Sequence, residues 1–243
     1  MQDWFTSPPG RYLLAWERAQ LDLAVVDVFG FHALQLGLTE LNGLAANRMP
    51  HRWMASPVPD PRATLVTDFS ALPFAANSLD LVLLPHTLEL SADPHATLHE
   101  VERVLMPEGR VVICGLNPLS LWAARQRRAR LYHKLGGGSL FLPAAGEFIG
   151  YWRLRDWLRL LGFELEVARF GCYRPAFSSE AWLARMGWME GLGARWWPVF
   201  GAVYFLVAVK RVRGMTLLSP AWKRPMKMAN APVSVATSTT TRA

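Results

Sequence analysis

From residue 33 onward, short apolar runs with strand character alternate with longer stretches at helical spacing, and this rhythm limits the fold more than any other feature. The runs lie at 33–37, 52–55, 63–67, 79–84, 110–114, 163–170 and 204–209. Leu79-Asp80-Leu81-Val82-Leu83-Leu84 is almost wholly apolar, as a central parallel strand covered on both faces should be. Between the runs, Leu98, Val101, Val104 and Leu105 recur at helical intervals, and the stretch 154–161 reads as a helix closed by Gly162. The pattern predicts an α/β fold: a doubly wound, seven-stranded, mostly parallel Rossmann-like sheet. The long excursion before the final run lets the chain re-enter from the other end, so the last strand is expected to be antiparallel.

This divides the chain into three parts. Residues 1–32 form an N-terminal helical segment, opened by Pro8-Pro9-Gly10 and carrying Leu13, Leu14, Trp16, Leu21, Val25, Val26 and Phe29 at helical spacing. Residues 33–214 form the sheet domain, with helical insertions near 117–150 and 171–200 that would cover the mouth of a site. The first holds the basic cluster Arg125, Arg127, Arg128, Arg130 and Lys134 and the hinge-like Gly136-Gly137-Gly138. Residues 215–243 are a basic tail, expected to be disordered, and from Met226 onward it is low in bulky apolar residues.

Charge narrows the partners. The formal net charge is +7, from 26 basic and 19 acidic residues. Seven of the basic residues, and no acidic one, fall from Lys210 to the end, so the body before them is neutral. Basicity confined to a tail does not make a nucleic-acid-binding surface, and no specific nucleic acid is expected. The longest apolar run, 198–209, is shorter than the roughly 20 residues a membrane helix needs. Trp182, Trp188, Trp196 and Trp197 in the second insertion could instead lie at a lipid interface together with the basic tail, a peripheral membrane contact. Cys114 and Cys172, the two cysteines, cannot brace a chain this long, which favours a reducing, cytoplasmic setting.

In an open α/β sheet, ligands bind beyond the carboxyl ends of the strands, so the residues just after each strand carry the information. They are Gly37-Leu38-Thr39, Asp68-Phe69, Pro85-His86-Thr87 and Gly115-Leu116-Asn117. No Gly-x-Ser-x-Gly elbow or GxxxxGK[ST] loop occurs. His95 and His99 stand four apart on a helix but lack a clear third ligand, so no metal site is expected.

The ordered string Asp68-Phe69-Ser70-Ala71-Leu72-Pro73-Phe74-Ala75, Ser78-Leu79-Asp80-Leu81-Val82, then Leu98…Glu100…Arg103-Val104-Leu105-Met106-Pro107-Glu108-Gly109-Arg110 resembles the class I S-adenosylmethionine-dependent methyltransferases, in particular their type 11 domain. The resemblance implies a methyltransferase acting on a small-molecule acceptor, with S-adenosylmethionine as cofactor. It implies that Asp68 meets the adenine amino group, that Phe69 packs near the adenine, that Pro85 and His86 line the methionine portion, and that the glycine turn begins at Gly37. His86, at the carboxyl edge of a central strand, is the candidate catalytic base where the acceptor must lose a proton.

The turn departs from the family pattern. Gln35 stands where an acid is usual, and Thr39 where a second glycine is usual. Both are assigned to the cofactor site with Gly37. The acid expected at the end of the second strand is absent, Met54-Ala55-Ser56 stand there, and Asp60 is a distant substitute. Two rival readings stand: a relative that kept the sheet as a binding or scaffold module and lost catalysis, and a peripheral membrane methyltransferase that uses its tryptophans and basic tail to reach a lipid-soluble acceptor.

Overall fold

The computed structural model describes residues 2–134, 141–142 and 148–211. The expected tail (215–243) and the Gly136-Gly137-Gly138 hinge lie outside the described residues.

The chain opens with α1 (Gln2–Phe5) and α2 (Pro8–Val25). Ser7 caps α2 by accepting from the Gly10 amide, and Pro8 and Pro9 fill first-turn positions where no N–H is needed. The strands are β1 (His32–Leu36), β2 (His51–Ser56), β3 (Leu65–Val66), β4 (Leu79–Pro85), β5 (Leu105–Leu116), β6 (Phe163–Gly171) and β7 (Val203–Lys210). Between them run α3 (Thr87–Leu90), α4 (Pro94–Val104), α5 (Leu121–Lys134), α6 (Tyr151–Leu160), α7 (Glu180–Arg185) and α8 (Trp188–Trp196), the last followed by a 3-10 turn, Pro198–Phe200. Asp93 starts α4 by accepting from the amides of His95 and Ala96, both at 3.0 Å.

The seven strands form one sheet in the order β3-β2-β1-β4-β5-β7-β6. Neighbours from β3 to β5 are parallel, and β7 is antiparallel to both β5 and β6. This is the expected doubly wound, mostly parallel sheet with an antiparallel final strand. Two strands differ in length from expectation. The third is two residues long rather than five: it lies at the sheet edge, and Thr64 spends its hydroxyl accepting from the Met54 amide, while short edges resist unwanted pairing. The fifth starts at Leu105, five residues before the expected run, and passes through Pro107-Glu108-Gly109 with Glu108 in a left-handed conformation (φ 64°).

Alternation sorts the strand side chains onto two cores. Leu34, Leu36, Val82, Leu84, Val111 and Ile113 pack with Leu98 and Val101 of α4 and with Leu154 and Leu158 of α6. Ala33, Leu81, Leu83, Val112 and Cys114 pack on the other face with Leu13, Leu21 and Val25 of α2. The N-terminal segment is thus built into the core of the sheet domain. Each fully buried Leu or Val contributes about 1.5–3 kcal/mol of transfer free energy. The buried stripe of α2 has one discordant member: Glu17 lies between Leu13 and Leu21 and is as fully enclosed as they are.

Candidate active site

Because β1 to β4 are parallel, their carboxyl ends meet at one rim. The turn after β1, the loop after β2, Asp68-Phe69 after β3 and the segment 87–92 after β4 enclose a cavity of about 380 Å³ there. Phe5 of α1 closes one wall. No described residue of the 117–150 or 171–200 insertions is part of that lining.

The altered turn is held from behind. Gly37 (φ 73°) and Leu38 (φ 40°) both take left-handed conformations, which glycine adopts freely and leucine does not. The support for this shape is Gln35, wholly buried. Its amide nitrogen donates to the carbonyls of Leu41 (2.6 Å), Leu38 (3.1 Å) and Gly37 (3.2 Å), two hydrogens shared among three acceptors. Its oxygen accepts from the Gly43 amide at 2.9 Å. A carboxylate has no hydrogen to give those carbonyls, so this turn needs an amide where the family pattern has an acid. The expectation that Gln35 contacts cofactor gives way: it lies behind the turn and does not line the cavity.

Thr39 does line it. Its hydroxyl donates to Asp60 Oδ2 at 2.7 Å, and the Arg62 amide donates to Asp60 Oδ1 at 2.8 Å. The loop after β2 therefore folds back so that Asp60, remote in sequence, reaches the cavity beside Ser56, the last residue of β2. Glu40 joins the same wall, with Arg62 at 3.7 Å. Leu38 and Thr39 take their places in the lining without filling the space.

Asp68 and Phe69 both face the cavity. The Ser70 amide donates to Asp68 Oδ1 at 2.9 Å and holds its carboxyl below the usual range, so it is ionised at neutral pH. Phe69 is buried beside Gly37, and a Cβ built at Gly37 would stand 3.7 Å from its ring and 3.5 Å from the Thr87 hydroxyl.

Pro85 and His86 fall behind this surface, and neither lines the cavity. His86 has a left-handed backbone (φ 53°) and a ring almost wholly buried under Phe5, with ring centroids 6.2 Å apart. Nδ1 lies 3.1 Å from Glu89 Oε2, and Nε2 lies 2.7 Å from Glu17 Oε1. The second approach is off hydrogen-bond alignment and acts chiefly as a charge contact. Burial alone would lower the ring's pKa, but the Glu17 and Glu89 carboxylates outweigh it and push it up to about 10. Glu89 Oε1 also accepts from the Leu116 amide at the end of β5. A ring that is protonated at neutral pH has no lone pair for an acceptor's proton, so the base role expected of His86 is not supported.

Sequence reasoning thus missed Phe5 and Glu17 and placed Asp60 too far away. A signal for Glu17 was present, since an acid four residues from Leu13 and from Leu21 interrupts an otherwise apolar helical stripe. Among the described residues no group of three or more His, Cys, Asp or Glu is arranged to hold a metal ion, and His95 instead packs on Trp157 with centroids 3.8 Å apart.

Comparison with known proteins agrees with this geometry. A family profile described as a methyltransferase domain matches residues 44–113. The YafS protein of Escherichia coli K12, uncharacterised in function, is 32% identical over 239 residues, which cover 93% of this chain and 85% of that protein. A methyltransferase of Thermotoga maritima superposes with a TM-score of 0.57 at 19% identity, over 82% of this chain and 92% of its own. One from Archaeoglobus fulgidus gives 0.56 at 16%, over 81% and 94%. The [4+2]-cyclase SpnF gives 0.53 at 18%, over 80% of each chain, so the shared architecture does not by itself dictate the reaction. The family profile, the near full-length relative and the rim geometry together identify the chain as a member of the class I S-adenosylmethionine-dependent methyltransferase family.

Proposed function

We propose that the protein transfers the methyl group of S-adenosylmethionine to a small-molecule acceptor bound at the C-terminal rim of the sheet. The observation that carries this reading is the cavity itself. Its volume suits a nucleoside-sized ligand. Its wall sets an aromatic ring, Phe69, beside the carboxylates of Glu40, Asp60 and Asp68, a lining that suits an adenosyl group carrying net positive charge. The left-handed Gly37 keeps a side chain out of the gap between Phe69 and Thr87.

In this reading Asp68 receives the adenine amino group, and Phe69 packs against the base. Asp60, held by Thr39, takes the ribose hydroxyls in place of the missing acid at the end of β2. Gly37 and Thr39 shape the turn along the cofactor, while Gln35, Pro85 and His86 support the wall from behind. The bound cofactor supplies an electrophilic methyl group on a sulfonium. The chain's own task is to bind, to align the acceptor with that carbon and to exclude water.

Titration calorimetry with S-adenosylmethionine tests the assignment. Asp60→Ala and Asp68→Ala should each weaken binding about tenfold to a hundredfold, the cost of one hydrogen bond to a charged group. Unchanged affinity in both would remove these residues from the site. No binding by the unaltered protein at millimolar cofactor would leave only the scaffold reading.

A further inference from the structure

The rim that holds the cavity continues across β5, β7 and β6, and there its surface changes character. We infer that this continuation docks on an anionic lipid bilayer, so that the methyl acceptor is taken from the membrane surface. The choice of acceptor rests on the methyltransferase reading, whereas the docking does not.

Six large apolar side chains stand there: Leu119, Leu121, Trp152, Trp196, Trp197 and Phe200, each 49–67% exposed. They come from three segments that the fold ties together. Asn117, just after β5, donates through its side chain to the carbonyls of Val199 (2.7 Å) and Gly201 (2.9 Å), which fixes the 3-10 turn against the 117–121 loop. Tyr173, after β6, donates to the Pro198 carbonyl at 2.7 Å. A Cβ built at Gly150, the cap of α6, would meet Pro118 at 3.5 Å, which brings Trp152 alongside. Exposed apolar groups clustered in this way mark an interaction surface.

The surrounding charge selects the partner. Residues 117–128, 150–156 and 195–200 contain six arginines and one acid, Asp156. Arg155 lies over the Trp152 ring at 4.7 Å, and Arg127 donates to the Pro118 carbonyl beside Leu119. Tryptophan and arginine set side by side on loops and helix ends suit the headgroup boundary of a bilayer, where an amphipathic ring and a cation are both satisfied. A protein partner would have to match this positive, uneven surface with acidic residues. Among the described residues no helix is long and apolar enough to cross a membrane, and the contact inferred is a peripheral one. β7 runs away from this rim, with Lys210 paired to Phe163 at the opposite end of the sheet, and the basic tail to which the sequence pointed lies outside the described residues. The arginines of the body supply the charge without it.

Co-sedimentation of the full chain with vesicles tests the inference. Binding is expected to phosphatidylglycerol–phosphatidylcholine vesicles, far less to phosphatidylcholine alone, and to fall as salt rises. Replacing both Trp196→Ser and Trp197→Ser should lower vesicle affinity by at least about tenfold, with unchanged cofactor affinity and melting temperature. Failure of the unaltered protein to pellet with anionic vesicles, or equal pelleting of the variant, overturns the inference. Self-association in sedimentation velocity that the double variant abolishes, without vesicle binding, would overturn it in favour of a protein interface. Cofactor titration without vesicles reads the methyltransferase assignment separately.

Discussion

Two polar constructions lie buried under the same rim, and they solve opposite problems. Gln35 organises the turn after β1 with a neutral amide whose oxygen and hydrogens all meet backbone partners. Glu17, His86 and Glu89, drawn from α2, the end of β4 and α3, bury two carboxylates around one imidazolium, and neither Glu17 oxygen has an aligned hydrogen bond. The first is inexpensive to enclose, because an amide leaves water without leaving a charge behind. The second depends on all three members and on the protonation of one of them, because desolvated charges are tolerated only while paired. The turn is therefore a fixed template, and the cluster is a conditional tie between the N-terminal helix and the sheet.

Removing the central charge should separate the two most. His86→Ala leaves two carboxylates facing each other inside the core, and should cost about 3–5 kcal/mol of stability in a denaturant titration. If His86 were instead the base of the reaction, the variant would melt normally and lose turnover.

At the turn, Gln35→Glu exchanges donors for acceptors opposite three carbonyls and should cost about 1–3 kcal/mol, with weakened cofactor binding. A variant that binds cofactor more tightly would show that an acid is as acceptable here as elsewhere in the family, and the amide-template account would fail.

A third effect is one of slope. The folded His86 pKa, about 10, lies above the ordinary 6.5 of an unfolded chain. Its contribution is complete below about pH 6.5 and is lost as pH rises through about 10. Melting curves between those limits should therefore fall more steeply for the unaltered protein than for His86→Ala. Parallel curves would mean that the ring is not protonated in the native state.

Much of this architecture was legible because strand and helix periodicities are local. The apolar run at 79–84 and the helical spacing of Leu98, Val101 and Val104 state their structure within a few residues. The position of Asp68, Phe69 and Gly37 at the cavity rim was legible in the same way, since a residue just after a parallel strand has only one rim to occupy. What escaped was non-local. Asp60 reaches the cavity because a proline-rich loop folds back and Thr39 holds its carboxylate. His86 is turned inward by Glu17, 69 positions earlier in the chain. A residue's position after a strand gives its place in the sheet but not its rotamer, and at His86 the rotamer decides between base and buried ion.

The reversal of β7 has a practical consequence. Lys210, at its end, donates to the carbonyls of Glu102 (2.6 Å) and Leu105 (2.9 Å), which pins the strand's exit. Positions 210 and 211 thus lie at the end of the sheet opposite the ligand mouth, so a fluorophore coupled at position 211 would report on the protein without standing in that mouth.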